Sequence, residues 1–311
     1  MKPMPGNLQH GLSPKDEATV SAIRVQSAPF KGMMKGPEAR GGYDQMIGAI
    51  PAAADISYEA AEVGGVGGIW CRPKTASPGA AILYLHGGAY VLGSANAYRH
   101  FAGQFAARTG TAAFVPDYGL APERPFPAGV NDAQAVYRAL AAQGIKKVVL
   151  VGDSAGGGLS LVLLALAKAD TDSGKGLTPR ACVVMSPWTD LTLTGSSHVK
   201  RADEDPFLTQ GALQATSALY LGKTDATHPL ASPLHGNLAG LPPIQLHVGT
   251  SEVLLDDTLR YAEKVRAAGG DADAHVWEGM PHVFPSSVGM LDAAEQAMTI
   301  MADFIKEKLS A

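Results

Sequence analysis

Residues 146–166 read KKVVLVGDSAGGGLSLVLLAL. This is a β-branched apolar run, a glycine turn and a long apolar stretch, which predicts a buried strand followed directly by a helix. At the junction, Gly152-Asp153-Ser154-Ala155-Gly156 matches G-x-S-x-G in the strand–turn–helix setting that such a motif requires. The turn is sharp, so the neighbours of the serine can carry no bulk. Ser154 Oγ is then held above the sheet edge at a helix N-terminus, whose dipole favours a developing anion. Two other readings compete for these residues. One is an ordinary βα turn with serine as N-cap. The other, a dinucleotide-binding turn, fails because Ser154 stands where G-x-G-x-x-G needs its second glycine and no acidic residue follows a second strand about twenty residues on.

Working outward, the strand-then-helix alternation repeats from residue 80. Strands are expected at Ala80–Leu85, Ala112–Pro116, Lys147–Val151, Ala181–Met185, Ile244–Val248 and Ala274–Trp277. Helices are expected over Ala97–Arg108, Asn131–Ala142, Ala155–Ala169, Asp256–Ala268 and Ala293–Leu309. Runs at Ile56–Val63 and Ile69–Arg72, separated by Gly64–Gly68, suggest an entry hairpin. Strands this apolar must be covered on both faces by crossover helices, so the fold class is α/β, a mostly parallel, doubly wound sheet. Residues 1–50 lack a strand pattern and residues 188–240 form a strand-free insertion in which Leu208–Leu221 has helical spacing. Both are expected to build a small helical cap, leaving 51–187 and 241–311 as the main domain.

Composition narrows the classes. Of 311 residues 46% are apolar and 17% charged, with 36 Gly and 21 Pro spread without a period, which excludes collagen, coiled coil and global disorder. The 25 basic and 29 acidic residues form no block able to follow a phosphate backbone, so nucleic acid is not an expected partner. The most apolar stretch, Leu159–Ala167, is far short of a membrane span, and the first thirty residues hold no run of signal-peptide length. A cytoplasmic protein is expected. Cys71 and Cys182, 111 positions apart and in no C-x-x-C pair, read as reduced core residues. No H-E-x-x-H or Cys/His cluster signals a metal, and Gly64–Gly68 lacks the G-K-[ST] of a phosphate loop, so no cofactor is expected.

A second glycine turn, His86-Gly87-Gly88-Ala89-Tyr90, follows the run AAILYL at the end of a strand where open α/β sheets place ligands. Residues without bulk let backbone N–H groups reach a substrate oxygen, and Gly87 and Gly88 with Ala155 are expected to form an oxyanion hole. The two motifs together resemble the hormone-sensitive-lipase-like family of α/β-hydrolases. Asp117-Tyr118, Leu120-Ala121-Pro122-Glu123, Phe126-Pro127-Ala128 and Gly279-Met280-Pro281-His282-Val283-Phe284 extend the resemblance over roughly residues 55–310. One departure is Gly119, where the family usually has Arg.

A serine nucleophile needs a histidine base and an orienting acid, and in hydrolases of this fold the chain order is Ser, acid, His. His247 and His275 sit within strand patterns, and His198, His228 and His235 in the insertion. His282 alone lies in a turn beyond a strand and before the last helix. The acid should follow strand Ile244–Val248, where Glu252, Asp256 and Asp257 all stand. The resemblance implies Glu252, with Asp256 and Asp257 as dipole partners of the next helix. Asp153 is expected to point away from the nucleophile and tie down the turn, and Glu123 to hold its own loop. The resemblance further implies a carboxylesterase acting on small ester substrates of short to medium acyl length, with amide or lactone hydrolysis and non-catalytic ligand binding as rival readings. Trp188, Phe207 and Leu208, with Phe30, Met33 and Met34, are candidates to line an acyl pocket or to pack the cap. Homodimer association through the last sheet edge, around His275–Trp277, is also implied.

Overall fold

The alternation of strands and helices is realised as a sheet buried on both faces. In the computed structural model, which describes residues 6–310, the elements in chain order are β1 (Asn7–His10), α1 (Pro14–Ser27), α2 (Arg40–Gly48), β2 (Ile56–Val63), β3 (Val66–Pro73), β4 (Ala80–Leu85), α3 (Ala95–Thr109), β5 (Ala113–Pro116), α4 (Ala128–Ala142), β6 (Lys147–Asp153), α5 (Ser154–Asp172), β7 (Ala181–Met185), α6 (Ser197–Lys200), α7 (Gln210–Leu221), β8 (Ile244–Gly249), α8 (Leu255–Ala267), β9 (Ala272–Trp277) and α9 (Asp292–Ser310). The first five positions of the expected cap lie outside the described residues.

The sheet order is β1-β9-β8-β7-β6-β4-β5-β3-β2, parallel from β1 to β5 with the hairpin β2–β3 antiparallel at one end. Because side chains alternate along a strand, each central strand feeds two cores. Leu83 of β4, Leu150 of β6 and Val184 of β7 pack with Leu159 and Leu163 of α5 and Val136 of α4. Ile82, Val151 and Met185 pack on the other face with Phe101 and Phe105 of α3 and Met298 and Met301 of α9. The hairpin turn is tighter than expected, with β3 beginning at Val66.

Two expectations need correction. Residues 1–50 are not simply cap. Asn7–His10 form β1, which pairs in parallel with β9, and α1 is tied to α9 by Asp16, whose carboxylate accepts the N–H groups of Asp292 and Ala293. The strand carries no β-branched run; the unpaired edge of β9 supplies its hydrogen bonds, and His10 stacks on Trp277 with ring centroids 3.8 Å apart. This also covers the edge expected to form a dimer. The last turn of α1 and the segment after it reach the insertion: Arg24 Nη2 donates to Glu204 O, the Gly32 N–H to Phe207 O and Lys31 Nζ to Ala202 O. The insertion holds α6 and α7, and Tyr220 of α7 stacks on Tyr90 at 3.9 Å.

Candidate active site

β6 ends at Asp153 and α5 starts at Ser154, so the chain turns at the serine itself, which adopts φ +53°. A non-glycine residue held there costs about 1–3 kcal/mol, strain characteristic of functional positions. The turn closes because Gly156 has no side chain: a Cβ there would collide with the carbonyls of Leu85 and His86.

The loop after β9 brings His282 to this turn, and the loop after β8 brings Glu252. His282 Nε2 lies 3.0 Å from Ser154 Oγ, and its Nδ1 lies 2.7 Å from Glu252 Oε2. Glu252 is fully buried, and its Oε1 accepts the Gly249 N–H at 2.9 Å and the Ser186 hydroxyl at 2.7 Å. Burial alone would depress the His282 pKa; the hydrogen bond and charge of Glu252, with the charges of Asp205 and Asp153, overcome it and hold the pKa above the ordinary value. Asp256 and Asp257 face elsewhere. Asp256 accepts from Ser196 Oγ and the Ser197 N–H, and Asp257 Oδ2 accepts the N–H groups of Thr189 and Asp190.

One oxyanion-hole assignment is corrected. The Gly87 N–H donates to Asp153 Oδ1 at 3.1 Å, and a Cβ at Gly87 would strike that carboxylate. Asp153 is buried, and also accepts the hydroxyls of Tyr84 at 2.8 Å and Tyr98 at 3.1 Å. Burial raises its pKa to about 6, against the opposing pull of these donors. An isolated buried carboxylate is costly, so Asp153 draws the first amide of the glycine turn to itself. The next residues, Gly88 at φ +111° and Ala89 at φ +54°, follow a left-handed course. The N–H groups of Gly88, Ala89 and Ala155 have no acceptor among the described residues. Ala89 was invisible in the sequence because the direction of its N–H depends on that course.

Ser186, the first residue after β7, was also missed. Its hydroxyl donates to Glu252 and accepts the N–H of Val283 at 3.0 Å, linking the acid loop to the histidine loop. Of the candidate pocket residues, Trp188 is fully buried and packs near Tyr90, so its ring offers no surface to a substrate. Phe207 and Leu208 are half-buried beside the acid loop. Phe30 and Met33 are exposed, and Met34 packs on the core. Glu123 forms an ion pair with Arg40 of α2, which also donates to Val91 O and Ala121 O.

Residues 82–286 match a family model described as alpha/beta hydrolase fold. The chain is 40% identical to an acetyl-hydrolase of Streptomyces hygroscopicus over 76% of its own length and 78% of that protein's. It is 35% identical to an esterase of Acinetobacter venetianus, covering 84% and 86% of the two chains. Among solved structures it resembles EstE5 soaked with p-nitrophenyl butyrate, at 38% identity, TM-score 0.88 and coverage of 96% and 100%. It also resembles an esterase from the bacterial hormone-sensitive lipase family, at 38% identity, TM-score 0.87 and coverage of 96% and 99%.

Proposed function

The chain belongs to the α/β-hydrolase fold family, and from that premise we propose that it is a serine carboxylesterase of the hormone-sensitive-lipase-like kind, cleaving short- to medium-chain acyl esters through an acyl-enzyme. The observation that carries this reading is the unbroken hydrogen-bonded run from Glu252 through His282 to Ser154. Ser154 Oγ adds to the ester carbonyl carbon as its proton passes to His282 Nε2, and Glu252 orients and stabilises the imidazolium. The N–H groups of Gly88, Ala89 and Ala155 receive the oxyanion, Ala155 with the added field of the α5 N-terminus. Collapse of the tetrahedral species expels the alcohol, which takes the proton from His282. Water, deprotonated by the same histidine, then attacks the acyl carbon, and the second tetrahedral species collapses to release the acid and Ser154.

The short to medium acyl length is supported by the relative named acetyl-hydrolase and by the butyrate ester soaked into EstE5. Phe207 and Leu208 are the remaining candidates to face the acyl chain. Among the described residues no helix is long and apolar enough to cross a membrane. A cytoplasmic setting suits the two buried free thiols, Cys71 and Cys182. With β9 covered by β1, a homodimer of this chain meets at another surface. The test is hydrolysis of p-nitrophenyl esters from acetate upward by wild type and Ser154→Ala: activity declining at long chains in wild type and absent in the variant is expected, and equal rates in both proteins would overturn the reading.

A further inference from the structure

One buried carboxylate next to the site is not used by the serine–histidine–glutamate chemistry. Asp205 lies in the insertion between α6 and α7 and is fully buried. Its Oδ1 accepts the N–H groups of Phe207 and Leu208, each at 2.8 Å, and its Oδ2 accepts the N–H of Val253 at 2.9 Å. Val253 directly follows Glu252, so this single side chain joins the strap that carries the candidate acyl-facing residues to the loop that carries the acid. The same stretch is held from below by Ser197, whose hydroxyl donates to Val253 O, and from outside by the Gly32 N–H on Phe207 O.

We propose that Asp205 is a positioning residue that holds the Glu252–His282 couple from the cap side. This rests on the functional reading of that couple given above. A structural tie alone is met by neutral acceptors such as the hydroxyl of Ser186, already present on the opposite side of Glu252. Placing a carboxylate here costs desolvation, and burial does raise the Asp205 pKa, opposed by the charge of His282 and by the three amides. The carboxylates whose charge raises the His282 pKa are Glu252 of the acid loop, Asp205 of the cap and Asp153 of the turn at Ser154. Asp153 belongs to the turn at Ser154 and is tied to Tyr84, Tyr98 and Gly87, whereas the three amides on Asp205 belong to the cap strap and to the residue that follows Glu252. The negative charge of Asp205 therefore favours the imidazolium formed when Ser154 gives up its proton.

The test is a titration of the His282 ring by NMR in the full chain labelled at histidine, with His282→Gln to assign the signal. Asp205→Asn should lower the His282 pKa by about 0.5–1 unit, and should move the acidic limb of kcat/KM for p-nitrophenyl acetate down by the same amount while kcat falls about tenfold or more. Asp257→Asn, which removes a buried carboxylate bonded elsewhere, should leave the ring titration in place. Should Asp205→Asn not fold, Asp205→Ser, whose hydroxyl can still accept from the nearby amides, carries the same measurement. An unchanged His282 titration in a folded variant overturns the proposal, and so does loss of the fold in both. A wild-type protein that titrates as described yet hydrolyses no ester removes the esterase reading and leaves this measurement standing.

Discussion

At the scale of single residues, Ser154→Ala removes the proposed nucleophile, and a loss of about 10⁴–10⁶ in kcat is expected with the circular dichroism spectrum unchanged. Glu252→Gln should cost about 10²–10⁴, because an amide cannot stabilise the imidazolium or fix the tautomer, whereas Asp256→Asn should stay within about tenfold. Asp257→Asn should lower Tm more than kcat, because its carboxylate holds the amides of Thr189 and Asp190. The pH profile follows from the same contacts. As the proposed base, His282 must be neutral to accept the serine proton, and its pKa is raised above the ordinary value of about 6.5, so kcat/KM should climb with pH through a midpoint above that value. In Glu252→Gln the raising charge is gone, and the midpoint should move down. The meeting of Ser154 with His282 was readable in sequence because their motifs specify both residue type and local backbone. The oxyanion donors were only partly readable. Glycine shows where backbone is bare, but the direction of the Gly87 amide is set by Asp153, 66 positions away.

At the scale of elements, the central strands were predictable to within a residue or two. Burial on both faces forces continuous apolar runs such as Ala80–Leu85, and the structure returns that strand unchanged. β1 was not predictable: NLQH has a single apolar residue, and half-exposed pairing with β9 is its whole reason to be extended. The cap shows the same limit. Helical spacing located α7, but periodicity could not separate Trp188, enclosed by the core, from Phe207, beside the acid loop. The two should therefore respond differently. Trp188→Ala should destabilise the protein by about 3–5 kcal/mol, seen as a lower denaturation midpoint with the acyl-length profile kept. Phe207→Ala should alter the ratio of kcat/KM between acetate and longer esters with little change in the midpoint; an unaltered ratio would assign Phe207 to packing.

At the scale of the whole molecule, the two apolar layers depend on helices from distant parts of the chain, and the far edge of the sheet is finished by residues from its beginning. Deleting residues 1–11 should leave the serine, histidine and glutamate in place while baring β9. Sedimentation velocity should then show association that grows with concentration, since an uncovered strand edge is a template for pairing. The pairing of Asn7 with Ala274 has a further consequence in time. These partners are 267 residues apart, and at ~5–20 residues per second a ribosome separates their emergence by roughly 13–53 s. Until Ala274 emerges, Asn7–His10 have no partner strand, so β1 joins the sheet long after it is made, and β9 keeps a bare edge until it does.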